Sequence, residues 1–328
     1  MARVASAARF CDALWVEALP DTTLRRLAET YAELVHGLRI PAGDPLLVLP
    51  NGEYFPDRFT HDRASVERLA ARMQGYAGLE DVTIELEVTG ELAELGAAGC
   101  GTGGCGTSAC GTPATSAGEG SLPRIEHAAG RWLFRVPASE VKDSIVLTSR
   151  LATSLGAVAL AERHPEGAER AGNPALAELS AVALGFGVLL LEASYMYKKS
   201  CGGPSVGRGT VLDCQELALV FALSVAREEQ TLGSALAELS TTQRALVKEA
   251  AVVVGESPTL VRLLREDPAR AARGDFRLRD RGPFWARLFG RRARPAGKEA
   301  RLEAALSALE GGASVDELAR LVGPADGE

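Results

Sequence analysis

Residues 151–160 read LATSLGAVAL and lie in the middle of a longer segment, residues 142–164, with helical periodicity. Its apolar positions form one stripe, Leu147, Leu151, Leu155 and Val158. This spacing predicts a helix that turns its stripe into the core. From residue 141 onward the pattern is almost wholly helical, which predicts a mostly helical core for this half of the chain.

The next helix is predicted over residues 174–197. Asn173 is a favourable N-cap residue, and Pro174 suits the first helical position. Residues 179–191 form a run of thirteen uncharged residues between Glu178 and Glu192. Because thirteen residues are too few to span a bilayer as a helix, this run predicts a buried core helix.

The N-terminal half mixes both kinds of secondary structure. Helices are expected at residues 22–38 and 64–76, where apolar residues recur at helical spacing. Short strands are expected at residues 46–49, 82–88 and 131–136. The predicted fold class is therefore α+β, a small β-sheet with packed helices followed by a mostly helical core.

We expect one α+β domain over residues 1–265. Residues 96–121, rich in glycine and cysteine, predict a flexible loop within it. Residues 266–297 are rich in arginine and proline and predict a linker, and residues 298–328 predict a C-terminal helical tail. Residues 198–209 are expected to form a glycine-rich connection, and Thr210 or Asp213 is expected to cap the helix that follows it.

Composition indicates a soluble globular protein. The 328 residues are 46% hydrophobic and 24% charged, with a net charge of −7. This acidic balance does not favour nucleic-acid binding. Asp12 and Glu17 interrupt the region where a signal peptide needs an apolar core, so we expect a cytoplasmic protein. Its six cysteines are then expected to be thiols or metal ligands.

Three motifs carry a family resemblance. Residues 151–160 align with L-A-H-E-L-G-H-V-A-L, a form of the zinc-binding helix of many zincins. Residues 177–188, AELSAVALGFGV, and residues 53–59, EYFPDRF, resemble two further elements of a bacterial zincin-like family of the HExxH metallopeptidase type. The chain therefore resembles a degenerate member of that family, and the resemblance implies a zincin-like fold.

The reactive side chains of the zinc helix are absent from the aligned positions. Thr153 and Ala157 stand where the two histidine ligands would be, and Ser154 replaces the general-base glutamate. Within the resemblance, Glu178 is the one remaining position that could contribute a metal ligand. An ordinary core helix rich in alanine and leucine is the alternative interpretation of residues 151–160.

Glu178, Gly185 and Glu192 are spaced by seven residues on one predicted helix. This spacing would place the two carboxylates on one face, where they could line a pocket with Tyr195. The alternative is that both glutamates are solvated or cap neighbouring elements. Gly185 and Gly187 lack side chains, so we expect another backbone to approach them, for example that of the 151–160 helix.

Cys100, Cys105 and Cys110 recur at five-residue intervals in the glycine-rich loop. Three thiolates could bind zinc or an iron–sulfur cluster with a fourth ligand, although zinc knuckles usually have closer cysteine spacing. The alternative is a low-complexity loop with incidental cysteines. Apart from zinc at these cysteines, no cofactor is predicted.

Residues 283–294, PFWARLFGRRAR, combine Phe284, Trp285 and Phe289 with four arginines. This combination could bind an anionic membrane surface weakly or a groove on a partner. A solvated basic linker that packs on its own domain is the alternative.

The sequence therefore favours a non-catalytic, pseudo-peptidase-like protein that binds an unidentified protein or peptide. One alternative is an enzyme or metal-binding protein whose site lies in the cysteine loop or at Glu178 and Glu192. A second alternative is an adaptor that works at a membrane surface or in an assembly through residues 283–294.

Overall fold

The structure is a computed structural model that describes residues 19–43, 47–90, 125–200 and 203–279. Its helices are α1 (Asp21–Gly37), α2 (Arg63–Tyr76), α3 (Ala138–Val141), α4 (Ser144–Arg163), α5 (Gly167–Arg170), α6 (Pro174–Ala181), α7 (Gly187–Ser194), α8 (Cys214–Arg227), α9 (Gly233–Glu238), α10 (Thr241–Gly255), α11 (Pro258–Glu266) and α12 (Pro268–Ala272). A π-helical segment, Val182–Phe186, joins α6 to α7. The strands are β1 (Ile84–Thr89), β2 (Ile125–Ala128), β3 (Arg131–Pro137), β4 (Met196–Ser200) and β5 (Gly203–Gly207). The predicted α+β class is confirmed.

The first three strands form a small sheet in the order β1-β3-β2. Strand β3 pairs in parallel with β1 and antiparallel with β2. Along β3, Trp132, Phe134 and Val136 are buried, whereas Arg131 and Arg135 are exposed and pair with glutamates of the neighbouring strands. This alternation places one face of the sheet on the helices and the other in solvent.

Helices α4 and α6 are packed side by side at the centre of the molecule. Asn173 accepts hydrogen bonds from the amides of Ala175 and Leu176, which confirms it as the N-cap of α6. The stretches Ser144–Arg163 and Pro174–Ser194 are long and apolar enough to cross a membrane by length and composition alone. In each, 72% of the most apolar window is buried inside the protein, as is usual for central core helices.

The helical run after Asn173 is broken at Gly185. This residue has φ of +98°, a conformation that glycine adopts without strain. The break exposes the carbonyl of Gly185, which accepts a hydrogen bond of 3.0 Å from the Val48 amide. The predicted strand at residues 46–49 is therefore wrong for the described residues 47–49, because the Val48 backbone bonds to this helix break and not to a strand.

The connection between α7 and α8 contains a hairpin that the sequence pattern did not predict, because β4 and β5 pair antiparallel with Met196 opposite Gly207. Asp213 caps α8, and its side chain and that of Glu216 each accept a hydrogen bond from the other residue's backbone amide.

The predicted linker at residues 266–297 is wrong for its described part, residues 266–279. Helix α12 packs on α1, and Phe276 is 5% exposed. The Arg25 guanidinium lies 4.8 Å from the centre of the Phe276 ring and donates hydrogen bonds to the carbonyls of Gly274 and Phe276. Short apolar side chains between the arginines allow this stretch to join the core. The rest of the linker and the tail at residues 298–328 lie outside the described residues.

Candidate functional site

The zinc-helix positions of the resemblance lie inside the core. Thr153 and Ser154 are each 6% exposed, and Ala157 is 1% exposed. The Thr153 hydroxyl donates a hydrogen bond of 2.9 Å to the Ser149 carbonyl within α4. These positions therefore hold small side chains that pack tightly and offer no reactive group to solvent. We call Thr153, Ser154, Ala157 and Glu178 the degenerate centre.

The close approach of α4 and α6 depends on Gly156. A Cβ atom at this position would overlap the carbonyl oxygen of Ala177 and lie 2.8 Å from the amide nitrogen of Ala181. The backbones of the two helices are therefore in direct contact. At Gly185 another backbone does come close, as expected, but it is that of Val48 and not that of α4. Beside Gly187 the space is filled by the Phe221 ring and not by a backbone.

Ideal helix geometry indicates that Thr153 and Ala157 lie on the side of α4 towards α6. At about 100° per residue, Gly156 lies about 60° to one side of Thr153 and Arg150 about 60° to the other. Gly156 touches α6, and the charge of Arg150 acts on Glu178. The sector between them, which holds Thr153 and Ala157, is directed towards the helix that carries Glu178.

Glu178 is 2% exposed, and its carboxylate binds two backbone amides. Oε1 accepts from the Val211 amide at 2.7 Å, and Oε2 accepts from the Leu212 amide at 2.9 Å. Burial raises the pKa of Glu178 to about 7, while the two amide bonds and the charges of Arg150 and Arg208 act to lower it. This carboxylate therefore anchors the loop that leads into α8.

Glu192 and Tyr195 bind a different segment from the one that Glu178 binds. Glu192 Oε1 accepts a hydrogen bond of 2.7 Å from the Ser240 amide, at the start of α10. The carbonyl of Tyr195 accepts from Gln243 Nε2 at 2.9 Å. Because Gly185 breaks the helix between the two glutamates, the single face assumed from their spacing does not exist. Each glutamate anchors a different loop.

Metal ligands are not clustered in the part of the chain that the structure describes. Within it, no three side chains of histidine, cysteine, aspartate or glutamate lie together in a group that could hold a metal ion. Cys100, Cys105 and Cys110 lie outside the described residues. So do residues 283–294, with Phe284, Trp285 and Phe289.

A groove of about 390 Å³ opens on another side of α4. Its apolar walls are Phe55, Phe59, Leu69, Ile145 and Leu189. Its charged residues are Asp57, Arg58, Arg68 and Arg72. These residues belong to four separate segments: the loop before α2, α2 itself, the first turn of α4, and α7. We call this space the arginine groove.

The loop that forms one wall of the arginine groove is held by hydrogen bonds. Asn51 Oδ1 accepts from the amides of Glu53 and Tyr54, at 3.1 and 3.4 Å, and Asn51 Nδ2 donates to Glu238 at 3.2 Å. The Tyr76 hydroxyl donates to the Tyr54 carbonyl at 2.7 Å. Although the loop has no regular secondary structure, these contacts fix its course, so this wall is pre-formed.

The arginines of the groove differ in their partners. Arg72 binds Asp57 through Nε at 3.2 Å and Nη2 at 2.6 Å, and this contact raises the pKa of its guanidinium above the ordinary value. Arg58 and Arg68 are exposed, and neither forms an ion pair with a residue that the structure describes. The groove therefore presents two guanidinium groups to a ligand beside its apolar walls.

The sequence contained a partial signal for this groove. Residues 53–59 form one of the three motifs of the family resemblance. Their role as a wall of the arginine groove depends on residues that are distant in the sequence, such as Ile145 and Leu189. Arg58, Arg68 and Arg72 carry no local pattern that separates them from ordinary surface arginines. Arg150 and Arg208 were likewise not predicted as charges acting on Glu178.

Comparison with known proteins gives no external guide to the role of these residues. No protein-family model, no curated protein and no solved structure matches the chain.

Proposed function

We propose that this chain is a non-catalytic, pseudo-peptidase-like binding protein of the cytoplasm, and that its ligand binds in the arginine groove. The observation that carries the proposal is the contrast between a pre-formed open groove of about 390 Å³ and a degenerate centre that is closed. The volume lies within the range of about 300–1,000 Å³ that is usual for small-molecule sites.

The degenerate centre supports a role other than catalysis. Ser154 is buried and carries no group that could activate water, and Glu178 is engaged by two backbone amides. A catalytic zinc site needs three protein ligands and an open position for water or substrate. Thr153 and Ala157 provide neither imidazoles nor space, which favours a structural use of this region.

The proposal is tested with a neutral, environment-sensitive dye, Nile red, which reports apolar sites without requiring charge. We expect saturable binding of one dye per chain. Binding should be lost in Ile145→Trp/Thr148→Trp, because indole rings at these positions would fill the groove. Val206→Trp is the matched control, since Val206 is 57% exposed and lies outside the groove.

Two results would reject the proposal. One is the absence of saturable dye binding, or equal binding by the wild type and the groove-filled variant when both melt cooperatively. The other is hydrolysis of an unfolded protein such as casein by the purified chain with added zinc, if Glu178→Ala abolishes that activity.

A further inference from the structure

The arginine groove combines two chemical features that select different parts of one ligand. Its walls are mainly apolar, and Ile145 at its edge is 38% exposed. A large side chain this exposed in the first turn of a helix leaves apolar surface for a ligand to cover. The apolar part of a ligand would lie between Ile145 and Phe55 or Phe59.

The charges of the groove favour an anion. Arg58, Arg68 and Arg72 supply three positive charges, and Asp57 supplies one negative charge that is bound to Arg72. Among the lining residues, two positive charges remain, on Arg58 and Arg68, and that of Arg68 also acts on the Asp62 carboxylate beside the groove. A guanidinium binds a carboxylate through two parallel N–H···O bonds, so either arginine could receive such a head group.

We propose that the arginine groove binds a free, medium-chain carboxylate, with its carboxylate on Arg58 and Arg68 and its hydrocarbon chain along the apolar walls. This assignment rests on the proposed binding function and adds the chemical class of the ligand. The size of the groove suits a small molecule better than a folded partner, because protein interfaces cover about 800 Å² on each side. We choose an acid over a neutral or cationic chain because its negative charge complements the two arginines.

The experiment measures the affinity of the full chain for octanoate, octanol and octylammonium by titration calorimetry at low ionic strength. These probes share an alkyl chain and differ in head group. We expect octanoate to bind at one site and octanol to bind about tenfold more weakly, because octanol cannot form the charge-assisted bonds. Octylammonium should bind more weakly still.

Arg58→Glu/Arg68→Glu tests the head-group site. We expect this variant to lose about tenfold or more in octanoate affinity and to keep its octanol affinity. Arg262→Glu/Arg273→Glu is the matched control, since both arginines are exposed, lie outside the groove and change the net charge equally. The control should bind octanoate within about twofold of wild type, which is the scale of remote surface charges.

Each other outcome has a distinct meaning. Equal affinity for octanoate and octanol, with both lost in Ile145→Trp/Thr148→Trp, would reject the carboxylate and retain the binding function. An equal loss of octanoate affinity in Arg58→Glu/Arg68→Glu and in the Arg262→Glu/Arg273→Glu control would show a general charge effect and reject the assignment. Binding to vesicles of anionic lipid without binding of free octanoate would also reject it. Failure of every probe, Nile red included, would reject the binding function itself.

Discussion

The degenerate centre and the arginine groove lie on different sides of the same helix, α4, and the polar groups of the two regions are used differently. At the degenerate centre, small residues let two helix backbones touch, and the one carboxylate is 2% exposed and bound to two amides. In the groove, Arg58 and Arg68 are exposed and have no ion-pair partner among the described residues. The first region is built for stability, and the second has interactions available for a ligand.

The two regions differ in how closed they are. Thr153 and Ala157 are small side chains buried in the core. Closing a core around a carboxylate requires partners for its oxygens, and the loop before α8 supplies them. The groove is open, and the loop at Asn51 that forms one of its walls is held by its own hydrogen bonds.

The largest expected effect comes from a matched pair of glycine variants, one in each region. Gly156→Ala should cost about 4 kcal/mol or more in the free energy of unfolding, because the added Cβ meets backbone atoms of α6 that cannot move alone. Gly52→Ala, in the groove, should change it by less than about 0.5 kcal/mol, since nothing lies within 4 Å of the added carbon. Urea denaturation measures both, and similar costs would break the comparison.

The second prediction concerns pH. The pKa of Glu178 is about 7 in the folded protein, against an ordinary value of 4.5. Between these values the folded state binds more protons than the unfolded state, so its stability falls as pH rises. The contribution of Glu178 to the free energy of unfolding is most favourable below pH 4.5 and is lost as pH rises to about 7. The loss totals roughly 3 kcal/mol.

Glu178→Gln isolates this effect, because glutamine does not titrate. As pH rises from 4.5 to 8, the unfolding free energy of the wild type should fall relative to that of Glu178→Gln. A constant difference over this range would show that Glu178 keeps its ordinary pKa and that its two amide bonds outweigh its burial.

The third prediction tests whether the degenerate centre retains its geometry. Thr153→His, Ser154→Glu and Ala157→His together introduce two imidazoles and a base on the side of α4 that faces Glu178. The larger side chains should reduce stability by about 1–3 kcal/mol at each of the three buried positions. Added zinc should recover part of this loss, since binding to the folded state alone stabilises it.

Melting temperatures with and without zinc measure this recovery, and a further Glu178→Ala change should reduce it. A folded triple variant whose melting temperature does not respond to zinc would mean that residues 153 and 157 do not converge with Glu178. The resemblance of residues 151–160 to a zinc helix would then have no geometric support.

The smallest expected effect lies in the groove. Asp57→Asn removes the carboxylate that binds Arg72 and should leave the melting temperature almost unchanged, since exposed ion pairs contribute little. Octanoate affinity should rise about threefold as a third arginine becomes available. Glu67→Gln, which changes the exposed pair of Glu67 with Arg63, is the control and should not alter affinity. A weaker affinity of Asp57→Asn would indicate that Asp57 orders the groove.

Sequence reasoning succeeded where neighbouring residues carry the information. The periodicity of residues 22–38 and 64–76 predicted α1 and α2, and Asn173 was identified as an N-cap because its partners are two and three residues away. The alternation in residues 131–136 likewise predicted β3, and the α+β class followed. In each case a local rule of helix or strand formation is sufficient.

Sequence reasoning failed where distant segments meet. Residues 47–49 were expected to form a strand, yet Val48 bonds to a carbonyl that is free only because Gly185 breaks a helix. Residues 266–279 were expected to be a linker, yet Phe276 packs beside Arg25. Neither contact can be inferred from composition, because the partner is more than a hundred residues away.

The sequence alone determined that residues 153, 154 and 157 supply neither an imidazole ligand nor a general-base carboxylate, since that conclusion depends only on side-chain chemistry. It also predicted that residues 179–191 are mostly helical and buried, but not the break at Gly185 within them. Only the tertiary structure decided that Glu178 binds the amides of Val211 and Leu212, that Gly156 sets the contact of α4 with α6, and that four segments enclose a groove with two available arginines. The reason is physical: side-chain chemistry is a property of each residue, whereas burial, desolvation and the partner of a charge depend on which distant segments the fold brings together.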